Sequence, residues 1–286
     1  MSDRTSYRHA ERLRVRWAEV DMQRVVFNAH YLTYFDTAVA GYWRAMALPY
    51  TETMAYLDGD LFMRKAALEY HASARYDDLL EVGIRTARIG TSSIVFDGAI
   101  WRGNELLVGG ELVYVFADPS GSASRPVPQE LRDVLHAHET GKPMTDVRVG
   151  PWDELGREAS AIRTQVFVQE QKIPADMEWD AADAVCLHAV AYNRFGRALA
   201  TGRLLEHVPG VAKIGRMAVL PGMRGSGIGR AVLDALMNAA RARGDREALL
   251  HAQLSAAPFY SLAGFTPRGP VFDEAGIPHV EMVRNL

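Results

Sequence analysis

The chain has 286 residues, 48% hydrophobic and 23% charged, with a formal net charge of −3. That balance excludes a disordered or fibrous chain and predicts a soluble globular protein, and the length is natural for two cores of about 140 residues. No basic stripe or tail argues for nucleic acid or an anionic membrane surface, and no apolar run approaches the roughly 20 residues of a membrane span.

Residues 11–18 read as a strand. From Asn28 the apolar positions Tyr31, Tyr34, Phe35, Ala38, Tyr42 and Met46 fall on one helical face, and Pro49 closes that helix. The period then changes to two. Stretches near 62–75, 79–90, 92–102 and 105–117 predict an antiparallel meander. A loop over 118–128 and a short helix through Leu131–His138 follow. Gly141 and Pro143 mark residues 139–144 as a linker, so the expected domains are 1–138 and 145–286.

The second half alternates differently. A strand near 145–149 precedes a helix from about Pro151, and strands near 186–192 and 197–205 flank the turn Asn193–Gly196. A strand at 211–219 runs into Arg224-Gly225-Ser226-Gly227-Ile228-Gly229. A helix then carries Ile228, Val232, Ala235, Leu236 and Ala239 on one face, with Gly244 as its stop. The strand 248–253, a short helix opened by Pro258 and a strand from Phe265 complete an α+β chain. The single cysteine, Cys186, excludes an internal disulfide, and no residue spacing suggests a metal site; His136 and His138 lie two apart, off a common helical face. The N-terminus carries no secretory signal, which predicts a cytoplasmic protein.

Two segments carry chemistry. In the first, Asp21 lies a few residues before a helix. A helix start exposes unpaired N–H groups that can hold an oxyanion, and a carboxylate can attack a thioester or activate water. Asp21 also suits a simple loop or capping role, and Asn28 a side-chain N-cap. In the second, the glycines at 225, 227 and 229 let backbone amides at a helix start cradle a pyrophosphate. Asp245 stands about twenty residues on, as a dinucleotide fingerprint asks, but it precedes the next strand rather than ending it.

Asp21, Val25-Val26-Phe27, Tyr31, Glu69-Tyr70 and Arg75–Leu79 together resemble the hotdog-fold acyl-CoA thioesterases of the 4-hydroxybenzoyl-CoA type, over roughly residues 10–135. The resemblance implies a long helix on an antiparallel sheet. It assigns Asp21 as the catalytic carboxylate and the Asn28 N–H as an oxyanion donor, in a homodimer or tetramer that completes the site. Family members often have histidine where Asn28 stands and glycine at or near Gln23-Arg24.

Residues 224–229, with Ile214–Val219, Phe259–Phe265, Arg163–Gln171 and Gly276–Val280, resemble the GNAT N-acetyltransferases of the ElaA type. This resemblance covers residues 145–284 and implies a mixed central sheet flanked by helices. It assigns Met217, Ala218 and Val219 to the pantetheine arm and thioester, and Arg224, Gly225, Ser226, Gly227, Ile228 and Gly229 to the pyrophosphate. Tyr260 becomes the acid that protonates the departing thiolate. No base is identified: Glu170, Glu178 and Asp180 read as solvated loop charges, and His251 and His279 suit either the acceptor pocket or local hydrogen bonds. The expected protein is therefore a bifunctional acyl-CoA enzyme, hydrolase and transferase, using acetyl-CoA or acyl-CoA and an amine acceptor, without metal. Two competing readings are a GNAT transferase with a non-catalytic hotdog dimerisation domain, and a non-enzymatic acyl-CoA sensor.

Overall fold

A computed structural model describes residues 4–274 and 276–286. Contacts divide the chain into two compact units, Met1–Met144 and Thr145–Leu286.

The first unit is a five-stranded antiparallel sheet in the order β1-β3-β4-β5-β2. Its strands are β1 (His9–Arg14), β2 (Asp60–Tyr70), β3 (Leu79–Ile89), β4 (Ser93–Arg102) and β5 (Glu105–Ala117), and α1 (His30–Ala45) packs on β1 and β3. The helix sits close because the sheet beneath it lacks side chains at one spot. Gly98 and Gly110 face each other across β4 and β5. A Cβ on Gly98 would fall 2.4 Å from the Phe35 ring, and one on Gly110 2.9 Å from it. Phe35 itself is fully buried, so a larger residue at either glycine meets an aromatic ring that cannot move into solvent.

Three expectations shift. The first strand ends at Arg14, and the chain tightens into a 3-10 turn at Trp17–Glu19. The meander's first strand stops at Tyr70, short of residue 75. Pro49 ends nothing by itself: α1 stops at Ala45, and Pro49 is the N-cap of a further helix, α2 (Tyr50–Tyr56). The helix α3 (Gln129–Glu139) includes Glu139, whose carboxylate accepts from Tyr42 (2.5 Å) and from the Thr86 amide (2.8 Å).

The second unit is a seven-stranded mixed sheet, β11-β12-β10-β9-β8-β7-β6. In chain order come β6 (Thr145–Gly150), α4 (Trp152–Arg163), a π-helical turn (Thr164–Glu170) and α5 (Ala175–Glu178). Then follow β7 (Leu187–Asn193), β8 (Ala198–Val208), β9 (Val211–Val219), α6 (Ile228–Arg243), β10 (Glu247–Gln253), α7 (Ala257–Leu262), β11 (Thr266–Glu274) and β12 (Ile277–Asn285). β7 and most of β8 are buried. α4 packs over Val190 and Tyr192, while Val232 and Leu236 of α6 close on Gly202. Gly244 ends α6 in the left-handed conformation (φ 95°), where glycine carries no steric penalty.

A polar cluster under α1 has a pH consequence. His9 and His138 flank the buried Tyr42 ring, at 6.3 Å and 4.8 Å between centroids. Burial lowers the pKa of both imidazoles, and neither Nε2 has a hydrogen-bond partner among the described residues. Below about pH 6.5 the unfolded chain binds protons that the folded cluster refuses, so stability falls as pH drops. We expect the urea midpoint to fall between pH 7.5 and pH 5.5, and to fall less in His138→Gln. An equal drop in the variant would contradict this origin.

Candidate functional sites

In the first unit, residues 19–27 form a tight loop that delivers Asp21 to the start of α1. Asp21 N–H donates to Val25 O (2.9 Å), and Arg24 N–H donates to Asp21 O (3.0 Å). Val26 and Phe27 are pinned by donating to Ala74 O (2.8 Å) and Glu19 O (2.9 Å). Closing this turn puts Arg24 at φ 62°, a region costing a non-glycine residue roughly 1–2 kcal/mol. One Asp21 oxygen accepts from the Gln23 amide (2.7 Å), and among the described residues the other has no partner.

The helix begins at His30 with Ala29 as N-cap and no side-chain cap. Asn28 therefore does not cap through its side chain: the capping position falls one residue later, on an alanine. Its backbone amide, among the described residues, donates to nothing, while its carbonyl accepts from the Tyr70 hydroxyl (3.2 Å). An N–H without a partner just before a helix, and seven residues earlier a carboxylate with one oxygen unpartnered among the described residues, are the two kinds of group that thioester hydrolysis uses. The loop rests on a group sequence reasoning missed. Glu19 is buried, and its carboxylate accepts from the Tyr34 hydroxyl (2.7 Å), the Arg16 amide (2.7 Å) and the Arg16 side chain. Burial alone would raise its pKa; these hydrogen bonds outweigh burial and lower it. The i, i+3 spacing of Arg16 and Glu19 was the available signal.

In the second unit, β9 and β10 run parallel but pair only through Val211–Lys213 and Glu247–Leu249. Beyond that point the strands part, opening a cleft of about 950 Å³. Met217, Ala218, Val219, Arg224, Gly225, Gly227, Gly229 and Tyr260 all line it. The β9 wall is bulged, since Gly202 alone on β8 spans the gap where β9 has both Arg216 and Met217. Arg216 takes φ 51° to make that bulge.

At the end of β9 the glycine turn reads onto α6. Gly225 (φ 78°) and Gly227 (φ 86°) are left-handed, which their lack of a Cβ permits. Ser226 turns inward, its hydroxyl donating to Met223 O (2.6 Å), and Ile228 is the first helical residue. Gly225, Gly227 and Gly229 thus line the cleft at the start of a sixteen-residue helix, while Ser226 and Ile228 do not. Arg224 does something the motif did not predict. Its guanidinium grips Glu170 of the π-helical turn bidentately (2.7 and 2.6 Å) and donates to Val219 O (3.2 Å). Glu170 is thus ion-paired, and its pKa falls. Tyr260 is buried, its pKa is pushed up to about 12 by desolvation, and its hydroxyl has no partner among the described residues.

Two family models match the sequence: "Thioesterase superfamily" at residues 23–108 and "Acetyltransferase (GNAT) domain" at residues 163–286. The chain joins a thioesterase-superfamily domain to a GNAT acetyltransferase domain. The GNAT domain is 34% identical to the uncharacterized N-acetyltransferase YjcF of Bacillus subtilis, over 46% of this chain and 94% of that protein. The thioesterase domain is 29% identical to the acyl-CoA thioester hydrolase YbgC of Escherichia coli O157:H7, over 42% of this chain and 89% of that protein. The PA5185 protein of Pseudomonas aeruginosa is a solved structure with 28% identity, covering 49% of this chain and 97% of that one, at a TM-score of 0.42.

Of the acids expected as solvated loop charges, Glu178 is buried, while Glu170 and Asp180 are exposed but ion-paired. Arg163, fully buried, donates to Glu178 (2.5 Å) and to both Asp183 oxygens (2.8 and 3.1 Å), between the rings of Trp152 and Trp179. Arg203 donates to Asp180 (2.7 Å) and Asp183 (2.8 Å), and Arg216 reaches Asp180 (3.3 Å). Burial raises the Glu178 pKa more than Arg163 and Arg216 lower it, whereas the two arginines on Asp183 outweigh burial and depress its pKa. Composition cannot show this, because the partners lie fifteen to forty residues apart. Among the described residues no group of histidines, cysteines and carboxylates could hold a metal, and no helix is long and apolar enough to cross a membrane.

Removing one partner from such a network strands a buried charge. Asp183→Asn is expected to lower unfolding free energy by about 3–5 kcal/mol in urea denaturation. A loss under about 1 kcal/mol would show that water already screens these charges.

Proposed function

We propose that the chain is a bifunctional acyl-CoA enzyme: thioester hydrolysis in the first domain and acyl transfer, with acetyl the expected group, from CoA to an amine in the second. The observation that carries the transferase half is the parting of β9 from β10 beside an unpartnered tyrosine hydroxyl. Parted strands leave β9 backbone groups free on the cleft side. Met217 and Val219 would use them to grip the pantetheine arm and polarise the thioester carbonyl. Amides of Gly225, Gly227, Ile228 and Gly229 would hold the pyrophosphate, while those of Arg224 and Ser226 donate to Pro221 O (3.3 Å) and Met223 O (3.3 Å) and shape the turn. With both ends of CoA held, attack becomes effectively unimolecular. A phenol with a raised pKa stays protonated at neutral pH, so Tyr260 would hand its proton to the CoA thiolate as the carbon–sulfur bond breaks.

In the first domain, Asp21 would attack the thioester carbon or take a proton from water, and the Asn28 N–H would hold the oxyanion. A second copy of the chain would complete this site, as a homodimer or tetramer in the cytoplasm. One observation favours the competing reading that this domain is a non-catalytic dimerisation scaffold: Arg24 takes a left-handed φ of 62°, at or near positions where the family often has glycine.

Thiol release from short, long and aromatic acyl-CoAs without amine separates these readings. Asp21→Asn is expected to lower kcat at least 100-fold with CoA binding retained. Hydrolysis absent from the native protein across the panel would establish the scaffold reading. For the second domain, Tyr260→Phe is expected to lower kcat for acetyl transfer about 100-fold with little change in the Kd of CoA. An unchanged kcat would remove Tyr260 from the reaction.

A further inference from the structure

The transferase reading leaves one proton without a destination. An acceptor amine is a cation at neutral pH and has no lone pair until it loses a proton. The candidates in the cleft differ in how free they are. Glu178 and Asp180 are each committed to arginines, and Glu170, which does not line the cleft, is held by Arg224. His279 lies stacked against Phe272, and its Nδ1 is engaged with Ile277 O (2.8 Å).

His251 differs in position and surroundings. Continuing the register of the three β9–β10 pairs, in which Leu249 faces Lys213, places His251 opposite Gly215 and Gln253 opposite Met217. His251 therefore stands across the opening from the bulge, one step before the edge that would hold the thioester. It lines the cleft and is partly exposed. Its Nδ1 lies 3.2 Å from Glu274 on β11, and its Nε2 lies 3.8 Å from Glu281 on β12. The Phe272 ring meets it edge-on at 5.0 Å. Glu281 is shared with Arg268 (2.6 Å), whereas Glu274, among the described residues, pairs with His251 alone. A carboxylate on one ring nitrogen fixes the tautomer and the orientation of the ring.

Resting on the transferase reading, we propose that His251 is the base that takes the acceptor's ammonium proton, with Glu274 as its positioning residue. The acceptor class is thus a protonated primary amine, drawn toward the two carboxylates beside the imidazole. His251 removes one ammonium proton, and the freed nitrogen pair forms the bond to the thioester carbon. The carbon–sulfur bond then breaks while Tyr260 protonates the sulfur. The nitrogen's surplus proton returns to the Tyr260 phenolate through solvent, and the imidazolium releases its proton to solvent. The products are an amide and CoA thiol, with one proton released.

Two probe nucleophiles test this in the full-length protein with acetyl-CoA: 2-phenylethylamine, a cation at neutral pH, and hydroxylamine, already neutral there. His251→Gln is expected to lower kcat/KM for phenylethylamine about 100-fold while changing hydroxylamine transfer less than about threefold. Glu274→Gln, a change on a half-exposed side chain, is expected to shift the same ratio in the same direction by a smaller factor. Equal losses for both nucleophiles in both variants, or no loss in either, would overturn the proposal and leave the transferase reading standing. Transfer to neither nucleophile by the native protein would overturn that reading, and this inference with it.

Discussion

A guanidinium with no exposure to water organises the GNAT domain. Arg163 ends α4 just where the helix widens into a π-helical turn, and its partners Glu178 and Asp183 sit in the segment that follows. Asp183 also binds Arg203 of β8, and Glu178 and Asp180 reach Arg216 in the β9 bulge. One network therefore ties the widened helix, the segment after it and the bulged strand into a single floor for the cleft. Buried ion pairs of this kind contribute little net stability over apolar packing, since desolvation offsets the attraction. Their effect is geometric: every charge demands its partner, so few alternative arrangements of the floor survive.

Among the described residues, both domains place unpartnered amides near a helix start: Asn28 N–H just before α1, and the first amides of α6. In the thioesterase domain that helix is α1, reached through a loop clipped to Ala74 and Glu19. In the GNAT domain it is α6, reached through left-handed glycines. The difference follows from the guest. A single developing oxyanion needs one amide and a carboxylate within reach, the roles proposed for Asn28 and Asp21. A pyrophosphate carries charge over several oxygens and needs a run of amides, which only a turn stripped of side chains can present.

Much of this was readable in the chain. The alternating stretches that became β3, β4 and β5 were legible because period two survives any packing arrangement, and the stripe from Tyr31 to Tyr42 marked α1. Residues 15–19 were not: Val15 and Trp17 continue a strand pattern, but Glu19 needs Tyr34 and Arg16, and those bonds curl the chain into a 3-10 turn. The second helix after Pro49 was missed for a related reason. Pro49 ends no helix here; α1 stops at Ala45, and the proline stands at the N-cap of α2.

The sequence by itself determined where the candidate groups stand in the chain, because glycine spacing, a carboxylate before a helix and a tyrosine after a strand are local features. It also determined the class of each domain, since hydrophobic period depends on near neighbours alone. Only the tertiary structure decided which charges are free. Glu178 proved buried against Arg163, and Glu170 and Asp180, though still exposed, are paired with arginines distant in the chain, Arg224 holding Glu170. It also decided where the cleft lies. The parting of β9 from β10 is a property of two strands about thirty-five residues apart, and no local pattern records it.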